Sequence, residues 1–218
     1  MVNPMRIALI GATGGVGAEV LPELVSRGHQ VVAIVRRAGA VDPSDRVEPV
    51  LVDVHDTPRL CEALKGVDAV ISAFNPGWTA PDLYRQFLAG ARSIHQAAKA
   101  AGVRLLVVGG ASSLYGEDGR QLFETTEYPD PFEAGVHAAR DYYAEILDET
   151  ELDWTFLSPP PGYPGPQERR GTYRVGADTP LLDSEGGYSP ISGADLAVAI
   201  VDEIETSKQQ RRRFTVAY

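Results

Sequence analysis

Apolar runs of strand length recur along this chain: MRIALI (5–10), QVVAIV (30–35), VEPVLV (47–52), DAVISA (68–73), RLLVVG (104–109) and DWTFLS (153–158). Longer stretches with apolar residues at helical spacing separate them. Several runs are apolar at successive positions, the pattern of strands covered on both faces of a parallel sheet. Regular β-α alternation implies right-handed crossovers and a doubly wound α/β sheet. A seventh strand is expected at RRFTVA (212–217). In such a sheet ligands bind beyond the carboxyl ends of the strands, so the residues directly after each strand carry the functional reading.

The helices have readable ends. The first is expected over 15–27, stopped by Gly28, which suits a left-handed C-terminal position. Thr57 and Pro58 are expected as N-cap and first-turn proline of a short helix ending at Gly66, with Asp56 as a turn or cap residue. A helix over 80–101 turns Leu83, Phe87, Ile94, Ala97 and Ala98 to the sheet and stops at Gly102; another covers 134–149. Ser192 and Asp195 make a capping-box-like start for ADLAVAIVDEIE (194–205). Two ligand-side stretches, 115–135 and 159–190, exceed ordinary connectors. The second is expected as a small annex: either a substrate cover, burying Tyr163, Tyr173, Val175, Leu181, Leu182 and Tyr188, or a disordered excursion.

With 218 residues, a single domain spanning 1–218 is expected. It buries about 70% of its unfolded surface without a staple. Cys61 is the only cysteine, which excludes a disulfide framework and a cysteine-ligated zinc, and reads as a small core residue. A net charge of -10 argues against nucleic acid or an anionic membrane as partner. The basic run Arg211-Arg212-Arg213 reads as a solvated turn before the last strand. No apolar run spans a bilayer and the N-terminus lacks a signal-peptide pattern, so a cytoplasmic monomer or homodimer is expected. No metal-ligand cluster and no Gly-x-Ser-x-Gly elbow occurs.

Between the first strand and helix lies GATGGVG. Gly11 permits a tight turn, Gly14 lets the backbone approach a pyrophosphate, and Gly17 lets the helix pack on the sheet; Thr13, Gly15 and Val16 complete the loop. The unpaired amides at the helix start then face phosphate. At the end of the second strand, where a carboxylate would bind the ribose hydroxyls of NAD, stand Arg36 and Arg37. Guanidinium groups there favour the 2'-phosphate of NADP. Asp53 follows the third strand, within reach of an adenine amino group, and Val54 covers the base edge. Phe74 and Asn75, after the fourth strand, wall the cofactor, although Asn before Pro is also an ordinary turn signal.

These residues, with VVGGASSLY (107–115), LDWTFLSPP (152–160) and ISGADLAVAIVDEIE (191–205) before RFTVAY, resemble the atypical short-chain dehydrogenase/reductase group. The likeness is to its flavin/biliverdin reductase B-like and NmrA-like branch and covers nearly the whole chain. The resemblance implies a Rossmann-like fold binding NADPH and reduction of a planar organic acceptor such as a flavin or quinone. It also implies Ser112 and Ser113 beside the nicotinamide, with Ser158, Pro159 and Pro160 near it. The chain departs from its relatives at the proton donor. None of the nine tyrosines has a lysine four positions on, and Pro161 stands where the flavin/biliverdin reductase B-like enzymes have histidine. Ser112, Tyr115 and His137 are the remaining candidates for catalysis. Hydride transfer to a flavin or quinone needs orientation above all, since water can give the proton. A noncatalytic NADP(H)-sensing or partner-binding protein is the alternative.

Overall fold

A computed structural model of the protein describes residues 3–129, 132–165 and 168–218. Its elements run β1 (Arg6–Ile10), α1 (Gly17–Ser26), β2 (Gln30–Val35), β3 (Val47–Leu51), α2 (Thr57–Ala63), β4 (Ala69–Ser72), α3 (Leu83–Ala101) and β5 (Arg104–Val108). They continue through a 3-10 turn (Ala111–Ser113), α4 (Leu122–Thr125), α5 (Phe132–Leu147), β6 (Trp154–Ser158), β7 (Arg174–Gly176), α6 (Gly193–Thr206) and β8 (Arg212–Ala217). The strands form one sheet in the order β3-β2-β1-β4-β5-β6-β8-β7. All neighbours are parallel except β7, which runs antiparallel to β8. This is the Rossmann-like doubly wound architecture.

Alternation within each strand divides the core in two. Ala8, Ile10, Val32, Ile34, Val70, Leu105 and Phe156 join α2, α3 and α5 on one face. Ile7, Leu9, Val31, Ala33, Ile71, Leu106 and Leu157 join α1 and α6 on the other. Both side-chain sets of a strand are therefore buried, which is why β1, β2 and β4 read as unbroken apolar runs. Cys61 packs, partly buried, against the first cluster. Register then fixes the site. Ile10 lies opposite both Ile34 and Ser72, so the ends of β1, β2 and β4 share one rim.

Several local expectations need correction. Asp56, not Thr57, caps α2, its carboxylate accepting from the Arg59 amide at 3.2 Å. Thr57 is the first helical residue and its hydroxyl meets that of Ser93 at 2.7 Å. Within 115–135, where no regular element was expected before the helix at 134, α4 forms with a reciprocal capping box between Gln121 and Glu124. The arginine triplet is not wholly a solvated turn: the Arg213 side chain is fully buried. None of the described helices is long and apolar enough to cross a membrane.

The described part of 159–190 is docked, chiefly at the β8 edge of the sheet. Tyr163 and Tyr173 pack against the α1/α6 cluster, while Val175, Leu182 and Tyr188 stay exposed. Its anchor is Asp195, a fully buried carboxylate in the first turn of α6. That group accepts from the amides of Arg170 (2.7 Å) and Gly171 (2.8 Å) and from the hydroxyls of Ser192 (3.1 Å) and Tyr218 (2.6 Å). Burial pushes the Asp195 carboxyl up, but these donors together hold it below the ordinary aspartate value.

Because the folded value is the lower one, the stabilisation by Asp195 is complete above the unfolded value near 4 and is lost as pH falls through the folded one. Asp195→Ala is expected to cost about 3 kcal/mol at pH 7, by analogy with hydrogen bonds to charged groups. Urea denaturation should show the gap between wild type and Asp195→Asn closing below about pH 4. A gap unchanged by acid would contradict the ionised anchor.

Candidate functional site

The chain leaves β1 through Gly11, whose φ of 83° lies in the left-handed region. A Cβ there would stand 2.4 Å from the Ala73 carbonyl oxygen, just beyond β4. The Gly14 amide closes the turn on the Gly11 carbonyl at 3.0 Å. At Gly17 a Cβ would come within 2.1 Å of that same carbonyl, so the helix start lies directly on the turn. Gly15 differs: a Cβ there would meet nothing within 4 Å, and Thr13, Gly14 and Gly15 are all exposed. Val16 occupies the N-cap of α1 without a side-chain cap hydrogen bond. The helix start thus keeps backbone donors for an outside anion, under the positive end of the helix dipole. This cradle fits a dinucleotide pyrophosphate.

Along the rim, Arg36 and Arg37 are exposed beyond β2. Arg36 reaches toward the loop after β4 and donates to the Pro76 carbonyl at 3.4 Å. Asp53 Oδ1 meets the His55 amide at 3.0 Å and His55 Nδ1 at 2.9 Å. The hydrogen bond from the His55 amide, opposed in part by burial and reinforced by the His55 ring and lastly by the charge of Arg36, holds the Asp53 carboxyl below its ordinary value. Val54 turns its side chain into the core and its carbonyl accepts from the Ser93 hydroxyl, so only backbone is left toward the rim. Phe74 is also core, packed at a tilt beside Phe87 with ring centroids 6.1 Å apart. Asn75 Oδ1 accepts from the Gly77 amide at 2.7 Å, making a side-chain turn in the loop.

Beyond β5 the two serines differ. The Ser113 hydroxyl is turned inward, donating to the Gly110 carbonyl at 3.2 Å and lying 3.5 Å from the Ser158 hydroxyl. Ser112, also buried, stands beside Gly110. Pro159 and Pro160 follow Ser158 and are buried. The Tyr115 ring is partly exposed and its amide donates to the Asp178 carbonyl at 2.8 Å. His137 lies on α5 with its ring 5.8 Å from that of Phe123 and Nε2 3.8 Å from Glu133.

Sequence reasoning missed Arg213. Its guanidinium binds Asp178 through two nitrogens at 2.9 and 2.6 Å and donates to the Ser113 carbonyl. It also lies over the Tyr143 ring, 4.5 Å from the centroid. Tyr143 sits on α5, where burial pushes its hydroxyl up while the Arg213 charge opposes that shift. The available signal was positional: Arg213 falls inside the last apolar strand, beside Phe214, and so had to be covered.

Sheet order and glycine turn together define a dinucleotide-binding α/β protein. The NAD(P)H-binding family model matches residues 11–207, and the chain belongs to that family. The Bacillus subtilis protein YwnB is 35% identical over 215 residues, spanning 97% of this chain and 98% of its own. Among solved structures, a candidate epimerase of Bacteroides thetaiotaomicron is 38% identical over 99% of this chain and 98% of its own, with TM-score 0.89. A candidate NADH-flavin reductase of Streptococcus pneumoniae is 32% identical over 98% and 99%, with TM-score 0.82.

The close approach at Gly17 makes a specific demand. Gly17→Ala has only backbone to push against, so it should destabilise by about 1–3 kcal/mol or more. A thermal melt checks this, and a melting temperature equal to wild type would mean that α1 does not rest on the Gly11 carbonyl.

Proposed function

We propose that this protein is an NADPH-dependent oxidoreductase that passes hydride to a planar conjugated acceptor such as a flavin or quinone. The observation that carries the reading is the open, uncapped glycine turn at the centre of the rim, with Arg36 on the neighbouring strand end. Family membership supports dinucleotide binding, and the Streptococcus pneumoniae relative, described with a flavin acceptor, supports the acceptor class. That relative is described with NADH; here Arg36 and Arg37 favour NADPH through the 2'-phosphate.

The bound cofactor would supply the hydride. The chain supplies position: turn amides for the pyrophosphate, Arg36 and Arg37 for the 2'-phosphate, and Asp53 for the adenine amino group. Asn75, Pro159 and Pro160 form walls, with the Phe74 side chain behind them in the core. With the Ser113 hydroxyl committed inward, Ser112 is the member of the pair assigned to orient the nicotinamide carboxamide or the acceptor, and Tyr115 flanks the acceptor. The proton that completes reduction comes from water, so the reaction needs no Tyr-x-x-x-Lys pair. His137 beside Phe123 is a weaker choice than Ser112, since it is held on the helix surface.

NADPH should bind at least about tenfold more tightly than NADH, and Arg36→Ala should remove most of that preference, as titration calorimetry can measure. Gly15→Ala, which meets no protein atom, should keep the wild-type melting temperature and weaken NADPH binding. NADPH oxidation against a panel of flavins and quinones, with Ser112→Ala as control, tests turnover. Tight NADPH binding without turnover on any acceptor would favour a noncatalytic NADP(H) sensor instead.

A further inference from the structure

Resting on the reductase reading, we propose that Arg213 is a positioning residue for the reaction: it clamps the Ser112–Ser113 turn to the 177–179 limb of the annex. Its guanidinium has no exposed surface, yet it is one of the few buried charges that reach the ligand-side rim. Each of its faces is used. Two nitrogens grip the Asp178 carboxylate, Nη2 also approaches the Asp178 carbonyl at 3.4 Å, and Nη1 donates to the Ser113 carbonyl. The rings of Tyr143 and Tyr115 lie 4.5 and 5.3 Å from its carbon. A second strand of the same clamp runs through backbone, where the Tyr115 amide donates to the Asp178 carbonyl at 2.8 Å.

Three pieces of chain therefore meet at one cation: the turn after β5, helix α5 and the limb that follows β7. Besides the Tyr115 backbone link, the turn offers a carbonyl, the limb a carboxylate and the helix an aromatic face, and these groups cannot pair with one another. A planar fork with five donors satisfies all three at once, and lysine, a point donor on a flexible stem, does not. The Asp178 carboxylate is more than half exposed, so the clamp opens to solvent on the annex side and is dry on the turn side. The limb beside Tyr115 thereby becomes a wall of the acceptor side, and the placement of Ser112 depends on it. The pyrophosphate turn at Gly11–Gly17 has no part in the clamp.

The test uses the full-length protein with Arg213→Lys and, as the milder change, Asp178→Asn. Steady-state turnover with NADPH and an acceptor active on wild type should fall about tenfold or more in kcat for Arg213→Lys, with KM for NADPH within about twofold. Asp178→Asn should shift kcat in the same direction by less. Amide hydrogen exchange should quicken in the segments 110–116 and 174–180 and stay at the wild-type rate in 6–26. Exchange that rises equally everywhere, or a KM for NADPH that rises with kcat unchanged, would overturn the positioning role and leave Arg213 a purely structural ion pair. If wild type turns over no acceptor, the reductase reading fails and the positioning role with it. Unchanged exchange in 110–116 in both variants would by itself remove the clamp.

Discussion

Everything at the ligand side depends on how β1 ends. The central strand is buried on both faces and locked in register between β2 and β4, so its next residue has to turn away under the Ala73 carbonyl in the space of a hydrogen atom. Any side chain at Gly11 is excluded twice, by the 2.4 Å approach and by its positive φ. Once the turn is made, α1 must begin on top of it, and the contact at Gly17 sets the helix start close to the sheet. The donors at that start are then set at the rim by the sheet itself.

Charge is handled differently at the two ends of the sheet. At the amino ends of the strands, Arg104 and Glu203 form a buried pair whose other contacts go to Thr155, Ser207 and the amides of Lys208 and Gln209, while Arg104 Nε is left without a hydrogen-bond partner among the described residues. Removing either partner of such a pair leaves an uncompensated buried charge, whereas the intact pair adds little net stability. At the carboxyl ends the buried charges join pieces of chain distant in sequence: Asp195 takes up the 170–171 backbone, and Arg213 reaches Ser113 and Asp178. The annex leaves Val175 and Tyr188 exposed, and these polar anchors add to the packing of Tyr163 and Tyr173 and the β7–β8 pairing in holding it.

Much of the fold was legible because both faces of the sheet are covered. Unbroken apolar runs marked β1, β2, β4 and β5, and glycines at 28, 66 and 102 marked helix ends with φ of 89°, 73° and 67°. What escaped is what depends on contacts distant in sequence. The three-residue β7 exists only because β8 offers it an edge. Thr57 and Asp56 are both good caps, and a one-residue shift of the helix decided between them. In the site, the glycine turn and the arginines at the end of β2 follow from local pattern. The difference between Ser112 and Ser113, and the burial of Arg213, follow from which neighbours arrive, and a carbonyl or a carboxylate from a distant segment leaves no trace in local spacing.

The sheet's two outer strands carry a further consequence. On one side β3 includes Glu48 and Pro49, a charged residue and one with no amide hydrogen to give. On the other, β7 covers much of β8 but is itself only three residues long. Neither border presents the long row of free donors and acceptors that another chain could extend. Among the described residues, a second copy approaching strand to strand would meet only these short or interrupted edges.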